Sequence, residues 1–273
     1  MIDTEVPSLS INLNKLFKLD PATQISLRNK SPTQLHFYNP TSKLLQSVEV
    51  TSRAVTVVAE GVLGFKAHGD EPVVYVTGPD ATSPNAKVNV RDQGQNYYLR
   101  DLPIGGTYLL DVARFNGGWH FAVGSTADGK VYVYKDPVKI LGKSSAGRPL
   151  PSAVLRVENP ASLSFSLNTR FVAVQGGQHF AVYDIESNRQ FRYEIKEQLR
   201  AKPAVWMDGH RLATTSNGLV YVFDFDGANQ QKLLPHAEGL DAIFSVGYDF
   251  LYTISNSAAV TGRGALSRND LVL

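Results

Sequence analysis

The chain has 273 residues, of which 43% are hydrophobic and 19% are charged, with a formal net charge of +2. This composition is typical of a well-buried globular protein, and the small net charge gives no indication of a nucleic-acid surface. Cysteine is absent, which excludes disulfides, thiolate metal sites and a cysteine nucleophile.

The N-terminal sequence MIDTEVPSLS has no basic patch followed by an apolar stretch, so it does not predict a secretory signal. No apolar run approaches about 18 residues, the length that would indicate a membrane span. We therefore expect no membrane contact from this segment itself. Because the chain starts abruptly with acidic and polar residues, we expect an upstream part to have been removed.

Short strand patterns follow one another along the chain and group into six repeats. The first repeat has predicted strands at 8–13, 24–28, 34–38 and 44–50, with a connector at 16–21. The second has strands at 55–65, 72–77, 87–90 and 95–102. Between its second and third strands lies the polar segment 78–85, GPDATSPN, whose prolines and glycine indicate an inserted loop.

The third repeat has predicted strands at 108–115, 119–124, 130–134 and 138–141. The flexible segment 142–150, GKSSAGRPL, follows it, and we predict that this segment links the third repeat to the fourth. The fourth repeat has five strand patterns, at 153–157, 163–167, 170–175, 179–185 and 190–195. The polar residues 196–202 then predict a brief helical turn.

The fifth repeat, residues 203–235, is the clearest. It has strands at 204–207, 211–215, 219–225 and 231–234, and Asn217-Gly218 and Asp226-Gly227 mark two of its reversals. Four antiparallel strands in about 33 residues match one propeller blade. The sixth repeat has strands at 242–246, 250–255 and 265–273.

An acidic or amide residue follows the third strand of the repeats, at intervals of 40 to 53 residues. These positions are Asn39, Asp92, Asp136, Asp184, Asp224 and Asp270. Such a period is that of propeller blades. We therefore predict an all-β fold, a single six-bladed β-propeller of four-stranded antiparallel blades over residues 1–273. Seven blades remain possible if 153–167 forms more than a long inner strand.

The sixth repeat is one strand short, whereas the chain has one strand too many at its start. We predict that residues 8–13 complete the last blade, because ring closure hides sheet edges that would otherwise invite aggregation.

The chemistry-bearing residues form no recognisable catalytic or metal motif. Asp92, Asp136, Asp184 and Asp224 are better explained as caps of their own turns than as calcium ligands. Trp119 and Trp206 favour packing between blades over a sugar platform. The sequence therefore predicts no metal, no cofactor and no catalytic residue. The histidines are too far apart in sequence for a local metal pair, and we predict structural or exposed roles for all six: His36, His68, His120, His179, His210 and His236.

The repeats RFVAVQGGQHFAVYDIESNRQFRYEI, HRLATTSNGLVYVFDFDGANQQKLLP and FLYTISNS resemble the C-terminal propeller of bacterial PEGA-domain surface proteins. More distantly they resemble TolB-type and tryptophan–aspartate-repeat propellers. The resemblance covers most of the chain from about residue 16 and is strongest over 108–255. It implies a propeller that follows a membrane anchor and faces outward from the cell, hence an extracytoplasmic location. Such propellers have no assigned catalytic residues.

Two functions follow from this interpretation. The favoured one is a non-enzymatic, monomeric interaction domain that binds a protein or glycan of the cell envelope through a propeller rim. The alternative is a propeller enzyme, a lyase or hydrolase acting on glycans or lactones at the central channel, because propellers host both kinds of protein.

The predicted contact surface lies on the two long loops. Loops beyond the usual lengths tend to be functional or disordered. If 78–85 links second and third strands and 142–150 links two blades, both project from the same rim. We therefore predict binding residues Asp80 and Asn85 on the first loop and Lys143 and Arg148 on the second.

Overall fold

A computed structural model describes residues 11–28, 31–143, 147–197, 202–237, 240, 242–245, 249–256 and 264–271. In this part of the chain the strands form six antiparallel sheets, five of four strands and one of three, each in sequential order. The nearly all-β content confirms the predicted fold class, and six sheets agree with six blades. The chain divides into two compact units, the described parts of Met1–Ile104 with Pro137–Pro149, and of Gly105–Asp136 with Leu150–Leu273.

The first compact unit contains two sheets and two short helices. Its first sheet consists of β1 (Gln24–Arg28), β2 (Ser31–Asn39), β3 (Leu44–Glu49) and β4 (Ala54–Ala59). The second consists of β5 (Val62–Ala67), β6 (Val73–Thr77), β7 (Ala86–Asp92) and β8 (Gln95–Leu102). The helices are α1 (Leu13–Phe17) and α2 (Pro137–Leu141). A shared core of buried aliphatic and tyrosine side chains, among them Leu45, Val62 and Tyr75, joins the two sheets.

Two predictions in this unit were wrong. The predicted strand 55–65 is two strands, β4 and β5, because the chain reverses at Gly61, whose φ of 66° favours glycine. The predicted connector at 16–21 begins inside α1, which the Asn12 side chain caps by accepting a hydrogen bond from the Lys15 N–H at 3.0 Å. Residues 8–10 of the predicted closing strand lie outside the described residues, and residue 13 begins α1.

The second compact unit contains four sheets. The first is β9 (Tyr108–Phe115), β10 (Gly118–Ser125), β11 (Lys130–Lys135) and β12 (Ala153–Arg156), and the second is β13 (Ser162–Phe165), β14 (Phe171–Gly176), β15 (His179–Asp184) and β16 (Arg189–Glu194). The third is β17 (Val205–Trp206), β18 (Arg211–Ser216), β19 (Leu219–Asp224) and β20 (Gln231–Pro235). The last is β21 (Ile243–Phe244), β22 (Phe250–Asn256) and β23 (Gly264–Asp270).

Alternation along β14 shows how these sheets share cores. Val172 and Val174 pack into a cluster with β11 and β12, whereas Phe171 and Ala173 pack into a cluster with β18 and β19. Successive side chains of a strand point to opposite faces, so both faces of this sheet are buried. Full burial of one such large apolar side chain stabilises the fold by roughly 1.5–3 kcal/mol.

The predicted strands of the third and fourth repeats were partly wrong after β11. Residues 138–141 lie in helix α2 rather than a strand, because Asp136 adopts a φ of 46° and Pro137 suits a first helical position. The fourth strand of this sheet is instead β12, which pairs with β11. The fourth repeat therefore loses its extra strand, and the described residues form no seventh sheet.

This pairing also changes the role of residues 142–150. They belong to the connection between the third and fourth strands of one sheet and do not link two sheets. Residues 78–85 do join the second and third strands of their sheet, as predicted. Within the described residues no helix has the length and apolar character needed to cross a membrane. The predicted helical turn at 196–202 lies mostly outside the described residues.

Candidate functional site

The β9–β12 and β13–β16 sheets lie side by side in the second compact unit, and we call one end of the pair the hairpin end. It is the end at which the chain passes from β9 to β10, from β11 to β12, from β13 to β14 and from β15 to β16. The Thr169 hydroxyl, in the β13–β14 connection, donates a hydrogen bond to the Arg114 carbonyl at the end of β9, at 2.7 Å. The two sheets are thus tied together at this end.

A pocket of about 190 Å³ opens at the hairpin end. Both sheets contribute to its lining, which consists of Phe115, Asn116, His120, Lys135, Ser152, Tyr183, Ile185, Glu186 and Asn188. Asn116 and Gly117 have φ of 47° and 76°, the left-handed values of a two-residue hairpin turn. This turn between β9 and β10 forms one wall of the pocket.

His120 is the most unusual residue of the pocket. It lies on β10 directly opposite Lys135 on β11, and only 2% of it is exposed. Neither ring nitrogen has a well-formed hydrogen bond, and the Phe115 ring packs against the His120 ring edge-on, with 6.4 Å between ring centroids. Buried polar side chains nearly always have partners, so a histidine left in this way is available to bond a group that enters the pocket.

Burial lowers the pKa of His120 below its usual value. Lys135 adds to the lowering, whereas the backbone of Gly118 and the carboxylate of Asp136 oppose it. We therefore expect a neutral ring at pH 7, with one N–H donor and one bare nitrogen acceptor.

Two acceptors in the pocket are already engaged. The Tyr183 hydroxyl donates to Asn188 Oδ1 at 2.8 Å. The Arg170 guanidinium lies 2.6 Å from Glu186 Oε2. Lys135, in contrast, has no ion pair among the described residues. The donors that remain available are therefore the Lys135 ammonium, the His120 ring and the Asn188 amide.

Asp184 holds the β15–β16 turn that carries Glu186 and Asn188. Its carboxylate accepts hydrogen bonds from the backbone N–H groups of Glu186 and Ser187 at 2.9 and 3.3 Å, and from the Ser187 hydroxyl at 2.8 Å. This confirms the predicted turn cap at Asp184. Burial alone would raise its pKa, but these bonds and Arg170 outweigh burial and lower the pKa to about 2.

A second pocket, of about 370 Å³, opens at the opposite end of the same two sheets. Its lining residues are Arg156, Val157, Glu158, His179, Phe180, Arg192 and Tyr193. Burial strongly raises the pKa of Tyr193, whose ring stacks on Phe180 at 5.2 Å and whose hydroxyl has no hydrogen-bond partner. The two arginines of this pocket are exposed.

The four residues predicted to form a contact surface lie in the first compact unit and outside both pockets. Asp80 caps its own loop by accepting from the Thr82 N–H at 2.8 Å, and its other oxygen lies 2.6 Å from the Lys87 ammonium. The backbone N–H of Asn85 donates to the Ser83 hydroxyl at 3.1 Å.

On the second loop, the Arg148 guanidinium stacks on the Tyr98 ring at 5.1 Å, and the Lys143 N–H donates to the Ile140 carbonyl. Among the described residues, no hydrogen bond or ion pair joins the two pairs. The argument for a shared rim was wrong, because it required 142–150 to link two sheets.

Two further side chains, Trp206 and His236, have the predicted structural roles. Trp206 packs between sheets, as predicted, since its ring stacks on Phe171 at 6.3 Å and its Nε1 donates to the Ser164 carbonyl at 3.2 Å. His236 is structural, because its Nδ1 accepts the Ile254 N–H at 3.1 Å. The described residues contain no group of three or more side chains that could hold a metal ion.

Sequence reasoning missed the pocket around His120, which it treated as one of six scattered histidines. The only local signal was a histidine on the buried face of the GWHFAVGS strand, and such a residue usually has a partner elsewhere in the fold. Its lack of one becomes visible only when β11 and β15 are in place.

No protein-family model and no curated protein matches the chain. Several solved structures do. The Cps50 (Swd1) β-propeller domain of Myceliophteria thermophila is 10% identical, with a TM-score of 0.50 and coverage of 85% of this chain and 80% of that one.

Two further similar structures come from different kinds of protein. A chain of a mitotic checkpoint complex is 14% identical, with a TM-score of 0.55 and coverage of 90% and 75%. The dihydro-heme d1 dehydrogenase NirN is 14% identical, with a TM-score of 0.56 and coverage of 86% of this chain and 51% of NirN. At such identities the likeness concerns the fold alone, and it confirms that this chain has a β-propeller fold built from six antiparallel sheets.

Proposed function

We propose that this propeller is a non-catalytic domain that binds a protein partner at its hairpin end. The observation that carries the proposal is the polar His120 pocket together with two exposed leucines at the same end. Leu150 is 87% exposed and precedes the pocket residue Ser152 by two positions. Leu167 is 63% exposed and lies in the β13–β14 connection, near Thr169. Exposed apolar side chains with polar groups beside them are typical of protein interfaces.

The rigidity of this end supports the same proposal. Its turns are held by the Thr169–Arg114 hydrogen bond and by the Asp184 cap. A preorganised surface loses less conformational entropy when it binds a partner. A propeller chain of similar fold occurs in the mitotic checkpoint complex, an assembly of proteins, which supports protein binding as a use of this fold.

The resemblance of the repeats to PEGA-domain surface proteins extends the proposal. It favours a partner in the bacterial cell envelope, an extracytoplasmic location and a monomeric propeller. The alternative ligand is a glycan. If the domain bound envelope glycans and no envelope protein, the glycan would be its ligand.

We propose separately that the two long loops contact a partner. Lys143 and Arg148 are cationic side chains that a partner could contact, whereas Asp80 is already engaged by its own loop and Lys87. Shortening 78–85 or 143–149 to a glycine-containing turn should leave the protein folded. Loss of partner binding in one variant would identify which pair, Asp80 with Asn85 or Lys143 with Arg148, forms a contact.

Site-specific photo-crosslinking tests the hairpin-end proposal. A photoreactive amino acid at position 150 or 167 should capture a protein that the same group at position 156, at the opposite end, does not capture. The purified partner should then bind the wild type saturably. Leu167→Asp and Leu150→Asp should each weaken its affinity at least about tenfold, as expected for an interface hot spot. Unchanged binding by both leucine variants, or equal loss with Arg156→Asp, would contradict the proposal.

A propeller enzyme acting on glycans or lactones is the second candidate. His120 favours it, because a buried neutral histidine is suited to act as a general base. The similar fold of NirN, a dehydrogenase, shows that an enzyme can contain a propeller. Turnover of a glycan or lactone substrate that His120→Gln abolishes would establish this candidate, and no turnover of a broad substrate panel would remove it.

A further inference from the structure

We propose that the His120 pocket takes a carboxylate, the side chain of a glutamate or aspartate in an acidic segment of the protein partner. This inference rests on the proposed function, since it names the group on the partner that enters the pocket. Its basis is the buried, unpartnered His120 ring in the lining of a pocket that also contains the Lys135 ammonium and the Asn188 amide.

The balance of donors and acceptors selects the ligand. Asn188 Oδ1 already accepts from Tyr183, which leaves the amide group of Asn188 to donate. Glu186 Oε2 lies 2.6 Å from the Arg170 guanidinium, which Asp184 shares, and Asp136 Oδ1 accepts the Trp119 N–H at 2.9 Å. A ligand that enters this pocket therefore meets the Lys135 ammonium, the His120 ring and the Asn188 amide as donors, and a carboxylate supplies up to four acceptor positions for them.

Lys135 and His120 provide the two strongest contacts. They occupy directly opposite positions on β11 and β10, so both side chains project from the same face of the sheet. A carboxylate between them would accept from the ammonium and from the ring N–H. Charge-assisted hydrogen bonds of this kind are about twice as strong as neutral ones. A volume of about 190 Å³ is ample for a carboxylate and one or two methylene groups.

A bound carboxylate should change the titration of His120. Burial and Lys135 favour the neutral ring when the pocket is empty, and the groups that face the ring are Lys135, Asp136, Glu186, Tyr183 and Phe115. An added negative charge beside the ring favours the imidazolium. Binding should therefore take up a proton, and affinity should rise as the pH falls from about 8 to about 6.

The test uses the full chain and small probes observed by NMR of the histidine ring nitrogens. N-acetylglutamate N-methylamide carries the side-chain carboxylate, and N-acetylglutamine N-methylamide is its neutral counterpart. N-acetylalanine tests a C-terminal carboxylate instead, and inorganic phosphate tests for a general anion site. The glutamate probe should shift the His120 resonances and raise the pKa of His120, whereas the glutamine probe should do neither.

Variants then assign the contacts. Lys135→Gln, at an exposed position, should weaken binding of the glutamate probe about tenfold, and Lys130→Gln at the other end of β11 should not. His120→Gln should abolish the pH dependence of binding. If that variant does not fold, the shift in the pKa of His120 on binding, measured in the wild type, serves the same purpose.

The outcomes separate this inference from the proposed function. Three results would each overturn the inference. The glutamate and glutamine probes bind equally, phosphate or N-acetylalanine binds better than the glutamate probe, or the His120 resonances do not change up to the solubility limit of the probe. If the leucine variants lose the partner but the probe leaves His120 unchanged, only the inference fails. If the probe binds as stated while both leucine variants keep the partner, the proposed function fails and the carboxylate site stands.

Discussion

Arg170 and Asp184 form a two-point ion pair across β14 and β15. Arg170 Nε lies 3.0 Å from Asp184 Oδ1, and Nη2 lies 2.7 Å from Oδ2. The carboxylate is only 3% exposed, and the same guanidinium also contacts Glu186 at 2.6 Å. The pair thereby connects the start of β14 to the turn that forms one wall of the His120 pocket.

Replacing Asp184 with Asn should destabilise the fold. The substitution removes the charge that Arg170 pairs with and weakens the capping of the β15–β16 turn. A buried charge-assisted pair that loses one partner costs about 2–3 kcal/mol. Urea unfolding at pH 7 measures this change in the free energy of unfolding. Glu60→Gln, at an exposed turn, serves as the control and should change it by less than about 0.5 kcal/mol.

The same pair predicts how stability depends on pH. The pKa of Asp184 is about 2 in the folded chain, below the value of about 3.9 expected when unfolded. A lowered carboxyl pKa stabilises the fold above the unfolded value, and this contribution, about 2.5 kcal/mol, is lost as the pH falls toward 2. The difference in the free energy of unfolding between wild type and Asp184→Asn should therefore shrink between about pH 4 and 2. A difference that stays constant over this range would contradict the assignment.

Gly218 should be sensitive to alanine because of its backbone conformation. Its φ is 74° in the β18–β19 turn, and an added Cβ would meet nothing closer than 3.9 Å. The expected loss of about 1 kcal/mol therefore arises from left-handed strain and not from a clash. Gly64→Ala is the matched control, since an added Cβ there meets no atom within 4 Å and the φ is not left-handed. Equal stabilities of the two variants in thermal unfolding would rule out this explanation.

Trp206 should contribute through a hydrogen bond as well as through packing. Trp206→Phe keeps an aromatic ring against Phe171 but removes the Nε1 donor to the Ser164 carbonyl. The expected loss in the free energy of unfolding is about 1 kcal/mol. Trp206→Leu, which also removes the aromatic contact, should cost more. If Trp206→Phe were as stable as the wild type in urea unfolding, the hydrogen bond would contribute nothing.

Local sequence signals were sufficient for much of the fold. The Asn217-Gly218 turn and the alternation around it correctly predicted the four strands of the β17–β20 sheet, because turn conformation and side-chain alternation depend on neighbouring residues. Asp184 was correctly predicted to cap its turn for the same reason.

Pairing between distant segments could not be predicted in this way. Residues 137–141 are as apolar as a strand, yet they form α2, and β12 joins the sheet of β11 after a connection of 17 residues. Which strand pairs with which depends on contacts far apart in the chain, and short apolar runs do not distinguish a helix from a strand. The error at β12 also misplaced the loop that carries Lys143 and Arg148.

The all-β class and the six repeats of this protein follow from its composition, its strand spacing and its turn residues. Strand spacing and turn residues depend on neighbouring residues in the sequence. The pocket was decided by tertiary structure alone. His120 acquires its role because Lys135 and the β15–β16 turn line the same pocket while neither ring nitrogen has a well-formed hydrogen bond within the described structure. A missing partner is a property of three-dimensional packing, so no pattern in the GWHFAVGS strand could have indicated it.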